Sequence, residues 1–333
     1  MPMNSPTVKF GPDQPSRTSI VVAALRAFGA REPDPSVRNP DWLAERLVKP
    51  EDLSLIAEHP ISSAFGEDYR KGRANREVAG MSNLLLVRTR FIDEHLQRAL
   101  ENGATQLVIL GAGFDTRAYR FEKLLANKRV IEVDYRSTQE LKKRRLQGAI
   151  GALPSNVRLA EIDFRRDRVQ DVLAKAGYRR EEKTFFIWEG VSMYLSESAV
   201  RQTLRTIVEN SASGSSLVMD FAEQAIIDML GKFRHLSQHD YTTHWGEPWI
   251  FGIPDERERE FFAETGFEVR EILSFFGQDA ARRYLTRADG TRLGTTRGGP
   301  PRRYALTTTL RVIWMFLTRR SRWYALALLD VPE

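Results

Sequence analysis

Five short apolar runs, 106–110, 129–134, 157–163, 184–189 and 216–221, punctuate the middle of the chain. Each is too short for a buried helix and rich in Val, Ile, Leu or Phe, which reads as a strand covered on both faces. Charged segments at helical spacing separate them, at 138–150, 165–176 and 197–210. Strand alternating with helix predicts an α/β fold, a mostly parallel Rossmann-like sheet with right-handed crossovers and helices on both faces. A helix over 255–265 and a sixth strand over 266–273 follow. The last run, 323–329, is expected as a seventh strand, antiparallel between the fifth and sixth.

Upstream, residues 1–15 hold Pro, Ser, Asn and Gly with little to bury, and read as a disordered tail. Helical spacing follows at 16–28, with Ser16 as N-cap, at 39–47, and over 78–99, where Leu84, Leu85, Val87, Phe91, Ile92 and Leu96 recur. The expected organisation is a helical cap over 16–100 and an α/β domain over 101–333. Two insertions interrupt that domain: an aromatic lid at 222–254 and a second segment at 277–322. Within the second, 310–317 is apolar and expected to pack on the body.

Composition narrows the chemistry. The 333 residues are 42% hydrophobic and 28% charged, enough for a sizeable core. There is no cysteine, which removes disulfides, thiolate metal sites and thiol nucleophiles and fits a reducing compartment. No apolar run approaches the roughly 20 residues of a membrane span, and the start of the chain lacks signal character. A cytoplasmic protein without stable membrane insertion is expected. The net charge of +6 is mild and does not call for nucleic acid. The excess is local: Arg282, Arg283, Arg287, Arg292, Arg297, Arg302 and Arg303 face only Asp289, which reads as a solvated, mobile loop.

The most telling stretch closes the first strand. Gly111-Ala112-Gly113 is followed by Asp115, Thr116 and Arg117. Paired glycines after a buried strand make a tight turn that a ligand can approach closely, opening on a helix whose N–H groups face it. The dinucleotide fingerprint would place Gly or Ala at position 117. Arg117 stands there, and Asp115 puts a carboxylate where a pyrophosphate would sit. S-adenosylmethionine, cationic and without phosphate, suits the corner better.

Ligands of open α/β sheets bind outside the carboxyl ends of the strands. Four successive ends carry acids: Asp115, Asp134, Asp163 and Glu189. Asp134 stands where a carboxylate accepts ribose hydroxyls. Asp163 suits an adenine amino group, and Glu189 faces the amino-acid and sulfonium end. Asp115 is read as holding either the turn or the ammonium. The competing reading is that each acid caps the next helix. Arg88 on the preceding helix, with Arg90 near it, and Arg26 on the first helix are the candidate grips for the donor's carboxylate.

The residues 111–120, Glu132-Val133-Asp134, Ile162-Asp163-Phe164-Arg165 and the box Trp188-Glu189-Gly190 to Tyr194-Leu195 resemble the leucine carboxyl methyltransferase family. The likeness is nearer to its bacterial branch, which includes polyketide carboxyl O-methyltransferases. It runs over about 16–221 and again near 261–273. It implies a class I methyltransferase fold, with S-adenosylmethionine bound by Arg88, Gly111, Asp134, Asp163, Phe164 and Glu189, and by Arg26. It also implies that Tyr194 faces the acceptor, and that the acceptor is a small molecule of secondary metabolism methylated on oxygen.

A carboxylate acceptor needs no general base, because it is ionised at pH 7; a hydroxyl acceptor benefits from one. His235, His239 and His244 lie beside Tyr241, Trp245 and Trp249. His239 and Tyr241 join Tyr194 as candidate catalytic residues, with an aromatic acceptor pocket as the companion reading. A metal at His235 and His239 is rejected, since the acids of a metalloenzyme motif are missing. Two other classes stay open: an S-adenosylmethionine-binding protein without catalysis, and an NAD-dependent oxidoreductase.

Overall fold

The computed structural model describes residues 15–164, 166–233, 243, 245–294 and 323–333. Seven strands form one sheet: β1 (Gln106–Leu110), β2 (Arg129–Asp134), β3 (Val157–Glu161), β4 (Thr184–Trp188), β5 (Ser216–Ala222), β6 (Glu268–Ser274) and β7 (Tyr324–Asp330). Their order is β3-β2-β1-β4-β5-β7-β6. The first five pair in parallel, and β7 runs antiparallel to both neighbours. The last strand thus enters the sheet where the sequence pattern expects it. Leaving β1 for β2 on one side and β4 on the other makes the end of β1 the topological switch point.

The apolar runs work because successive side chains of a strand point to opposite faces. Leu107, Ile109, Val130, Phe185, Ile187, Val218 and Leu326 join one core. Helix α1 (Arg17–Gly29) and the long α2 (Arg76–Glu101) cover that face. Val108, Leu110, Ile131, Val133, Phe186, Trp188, Leu217 and Met219 join the other core. Helices 169–175, 197–209 and 258–263 cover it. Ser16 caps α1 by accepting the Ser19 amide at 3.1 Å, and Asn75 caps α2.

Several expectations need correcting. Short helices at Pro50–Leu55, Ile61–Phe65 and Tyr69–Ala74 stand where the sequence shows no clear period, and each is too brief to display one. The 39–47 helix shrinks to Ala44–Leu47 because Asp41 is drawn inward as an ion-pair partner. The described half of the Arg-rich segment is docked, not a solvated loop. Gln278–Tyr284 is helical, Tyr284, Leu285 and Leu293 are buried, and the Tyr284 hydroxyl donates to Glu94 at 2.6 Å. Arg287 meets Glu32 and Asp34, both at 3.6 Å. The 310–317 run lies outside the described residues.

His59 is buried in the turn before Ile61–Phe65, and its Nδ1 accepts the Ile61 amide at 3.1 Å. Burial pushes its pKa down to about 4. The unfolded chain, whose histidine titrates near 6.5, binds this proton more readily. The contribution to stability is therefore complete above about 6.5 and is lost as the pH falls through about 4. His59→Asn keeps an acceptor for the amide and removes the titration, so thermal stability should fall less steeply between pH 7 and pH 5 than in the parent chain. Parallel unfolding profiles would contradict this assignment.

Candidate active site

The glycine turn ends β1 at the switch point. Gly111 has φ 68° and Gly113 φ 43°, in the left-handed region that glycine enters freely. A Cβ on Gly111 would collide with Cγ2 of Val191. The helix after the turn is only Arg117–Arg120, a single turn, so it offers no extended N-terminus to a ligand. The Gly113 amide donates instead to Asp134 at the end of β2, and the Tyr135 amide donates to the same carboxylate at 2.6 Å. Asp134 makes no ion pair among the described residues, and burial raises its pKa against the pull of these two amides.

The other strand-end acids separate by role. Asp163 accepts the Tyr135 hydroxyl at 2.9 Å, next to the half-buried Phe164. Asp115 holds the turn: it accepts the Arg117 amide at 2.7 Å and pairs with that guanidinium. None of the four acids is the N-cap of a helix; those places go to Thr116, Tyr135, Arg168 and Ser196. The capping alternative is set aside.

Glu189 anchors a buried ion chain. Burial alone would raise its pKa, but Arg88 at 2.8 Å and Arg117 at 2.7 Å hold it down at about 2. Arg88 also pairs with Asp220 of β5 at 2.9 Å. Arg117 pairs with Asp93 at 2.7 Å, Asp93 with Arg120 at 2.9 Å, and Arg120 with Asp41 at 3.5 Å. Arg26 ends the chain on Asp41 at 2.8 Å and donates to the Phe114 carbonyl at 2.7 Å. Arg90 takes no part; it donates to the carbonyls of Pro35, Ser36 and Arg38.

A further carboxylate was not apparent from the sequence. Glu247 is buried and accepts the Thr18 amide at 3.0 Å, tying the segment before β6 to the first turn of α1. Burial raises its pKa, and it senses the charge of Asp134. Ser19 of the same turn sits over the glycine turn, its Cβ 3.4 Å from where a Gly113 Cβ would stand. Nearby, the half-buried Tyr194 faces Trp249 and Thr18. Trp249 stacks on Tyr324 at 5.6 Å, and Tyr324 on Phe275 at 4.9 Å. His239 and Tyr241 lie outside the described residues. Among the described residues there is no cluster of His, Cys, Asp and Glu able to hold a metal.

The donor set decides what fits. Asp134 and Glu247 are buried carboxylates with no cation paired to them among the described residues. Carboxylates so placed suit a cationic adenosyl donor and repel a pyrophosphate. With a seven-stranded sheet whose last strand is inserted antiparallel, they define a class I S-adenosylmethionine-dependent methyltransferase.

More particularly, residues 19–208 match the leucine carboxyl methyltransferase family, and the chain belongs to it. A candidate S-adenosyl-L-methionine-dependent methyltransferase of Mycolicibacterium smegmatis is 37% identical over 63% of this chain and 68% of its own length. A Bacillus subtilis relative of the same description is 30% identical over 79% of this chain and 89% of its own. Among solved structures, a candidate methyltransferase from Thermobifida fusca aligns with a TM-score of 0.47 at 14% identity, over 79% of this chain and 88% of that one. The enzyme uses S-adenosylmethionine. No helix among the described residues is long and apolar enough to cross a membrane.

Proposed function

We propose that the chain methylates an oxygen, foremost a carboxylate and otherwise a hydroxyl, of a small aromatic molecule of the polyketide or other secondary-metabolite type. The observation that carries this reading is the aromatic wall of Trp249, Tyr324 and Phe275, stacked in series beside Tyr194 and the Arg88–Glu189 pair. Phe275 and Tyr324 lie buried behind the half-buried Trp249 and Tyr194, which are the rings left to meet a flat aromatic guest. Residues 222–254 serve as the lid over that guest, residues 16–100 as the cap over the donor, and the reaction takes place in the cytoplasm.

When bound, S-adenosylmethionine supplies a methyl group activated on a sulfonium. Asp134 accepts the ribose hydroxyls, Asp163 and Phe164 hold the adenine, and Gly111 to Gly113 let the backbone come close. Glu189 receives the ammonium, while Arg88, with Arg26 as a second contributor, grips the carboxylate. Tyr194, Trp249 and the α1 turn fixed by Glu247 exclude water and align the acceptor oxygen with the methyl group. Alignment of this kind supplies ~7–11 kcal/mol of barrier reduction. A carboxylate acceptor arrives ionised, so no residue has to remove a proton. With a hydroxyl acceptor, His239 or Tyr241 acts as base.

The test is a panel of aromatic carboxylic acids with matching phenols, anilines and carbon acids, incubated with the protein and S-adenosylmethionine and read by mass spectrometry. Methyl esters are expected first and methyl ethers second. Transfer confined to nitrogen or carbon acceptors would overturn the oxygen reading.

A further inference from the structure

The ion chain beneath the donor crevice is unequal. It joins five carboxylates, Asp41, Asp93, Asp115, Glu189 and Asp220, to four guanidiniums, Arg26, Arg88, Arg117 and Arg120. No side chain in it is more than 9% exposed. Guanidiniums do not give up their proton in proteins. One negative charge is therefore left over, in an interior that screens it weakly.

Asp220 closes the β5 end of that chain, paired to Arg88 alone. Its Oδ1 accepts the Gly190 amide at 2.7 Å; its Oδ2 accepts Arg88 Nη1 at 2.9 Å and the Tyr324 hydroxyl at 2.5 Å. Arg88 also donates to the Tyr324 oxygen at 3.3 Å, which fixes the direction of the tyrosine bond. Every contact of Asp220 is thus a donor. Burial works to raise its pKa, while the Arg88 guanidinium, the Tyr324 hydroxyl and the Gly190 amide all favour the ionised form. Strand register sets Met219 opposite Trp188, so Asp220 stands level with Glu189.

The methyl donor carries one net positive charge, from sulfonium, ammonium and carboxylate. The thioether product carries none. We propose that Asp220 adds to Asp134 and Glu247 a charge by which this site favours the sulfonium donor over its thioether product. Asp220 touches neither ligand and acts through its field. The inference rests on the donor crevice described above and is independent of the acceptor.

The test compares calorimetric binding of S-adenosylhomocysteine with that of sinefungin, which bears an ammonium in place of the sulfonium. The wild-type protein should bind sinefungin more tightly; the reverse order overturns the inference without any variant. Asp220→Asn should weaken sinefungin about tenfold and leave S-adenosylhomocysteine within about twofold, the differential being worth roughly 1.4 kcal/mol. Equal losses for the two ligands would make Asp220 a packing and positioning residue only, and overturn it. Tyr324→Phe keeps the charge and should keep the preference; a variant that copies Asp220→Asn overturns the charge account. Failure of the wild-type protein to take up either ligand would instead overturn the donor crevice itself.

Discussion

Replacing Asp134 with Ala should lower the affinity for S-adenosylhomocysteine about a hundredfold while the fold persists. The carboxylate closes β2 beside the glycine turn, and its partners are two backbone amides, from Gly113 and Tyr135. Ribose hydroxyls would add two donors to a charged acceptor, each worth about 1.5–3 kcal/mol. Losing both amounts to two orders of magnitude or more. The fold should survive because Asp134 is outside the ion chain and makes no ion pair among the described residues. Asp134→Asn keeps an acceptor without the charge and should fall between the two. Calorimetry with S-adenosylhomocysteine, alongside thermal unfolding, checks both halves. Affinity unchanged in the Ala variant would remove the ribose role, whatever the stability.

What could be read in the chain depended on the range of the interactions involved. The inner strands are covered on both faces, so Leu107 to Leu110 and Phe185 to Trp188 are unbroken apolar runs and announce themselves. The edge strand β3 is only partly buried, and there the pattern overshoots: the run continues to Asp163, two residues past the last paired one. The strand-end acids were visible because the position after a strand is a local feature. Their partners were not. Asp220 meets Arg88 from 132 residues away, and Glu247 meets Thr18 from 229. Neither acid carries a local mark that sets it apart from a surface charge.

Arg117 shows how a local rule can be right for a partial reason. At the third position of the glycine fingerprint it argues against a dinucleotide, since glycine there serves close helix–strand packing. The structure gives the fuller cause. Arg117 is buried and binds Asp93, Asp115 and Glu189 together. Asp115 is thereby tied into the turn. The same neutralisation leaves Glu189 ionised in a place where burial works to raise its pKa.

Glu189→Gln is therefore expected to lower stability as well as donor binding. The substitution keeps the shape but strips the shared carboxylate from two buried guanidiniums, Arg88 and Arg117. Breaking a buried pair from one side costs about 3–5 kcal/mol, and an amide oxygen that still accepts places this variant near the lower figure. The unfolding midpoint at pH 7 should drop by roughly 4–5 °C. The pH dependence identifies the cause. The Glu189 pKa is depressed from 4.5 to about 2 in the folded chain. Its contribution, on the order of 3 kcal/mol, is thus present above pH 4.5 and is lost as the pH falls towards 2. The gap between parent and variant should accordingly be widest near neutrality and close through that acid window. Thermal unfolding of both proteins over a pH series measures it, and a gap that stays constant down to pH 3 would mean that the ion chain does not stabilise the fold through Glu189.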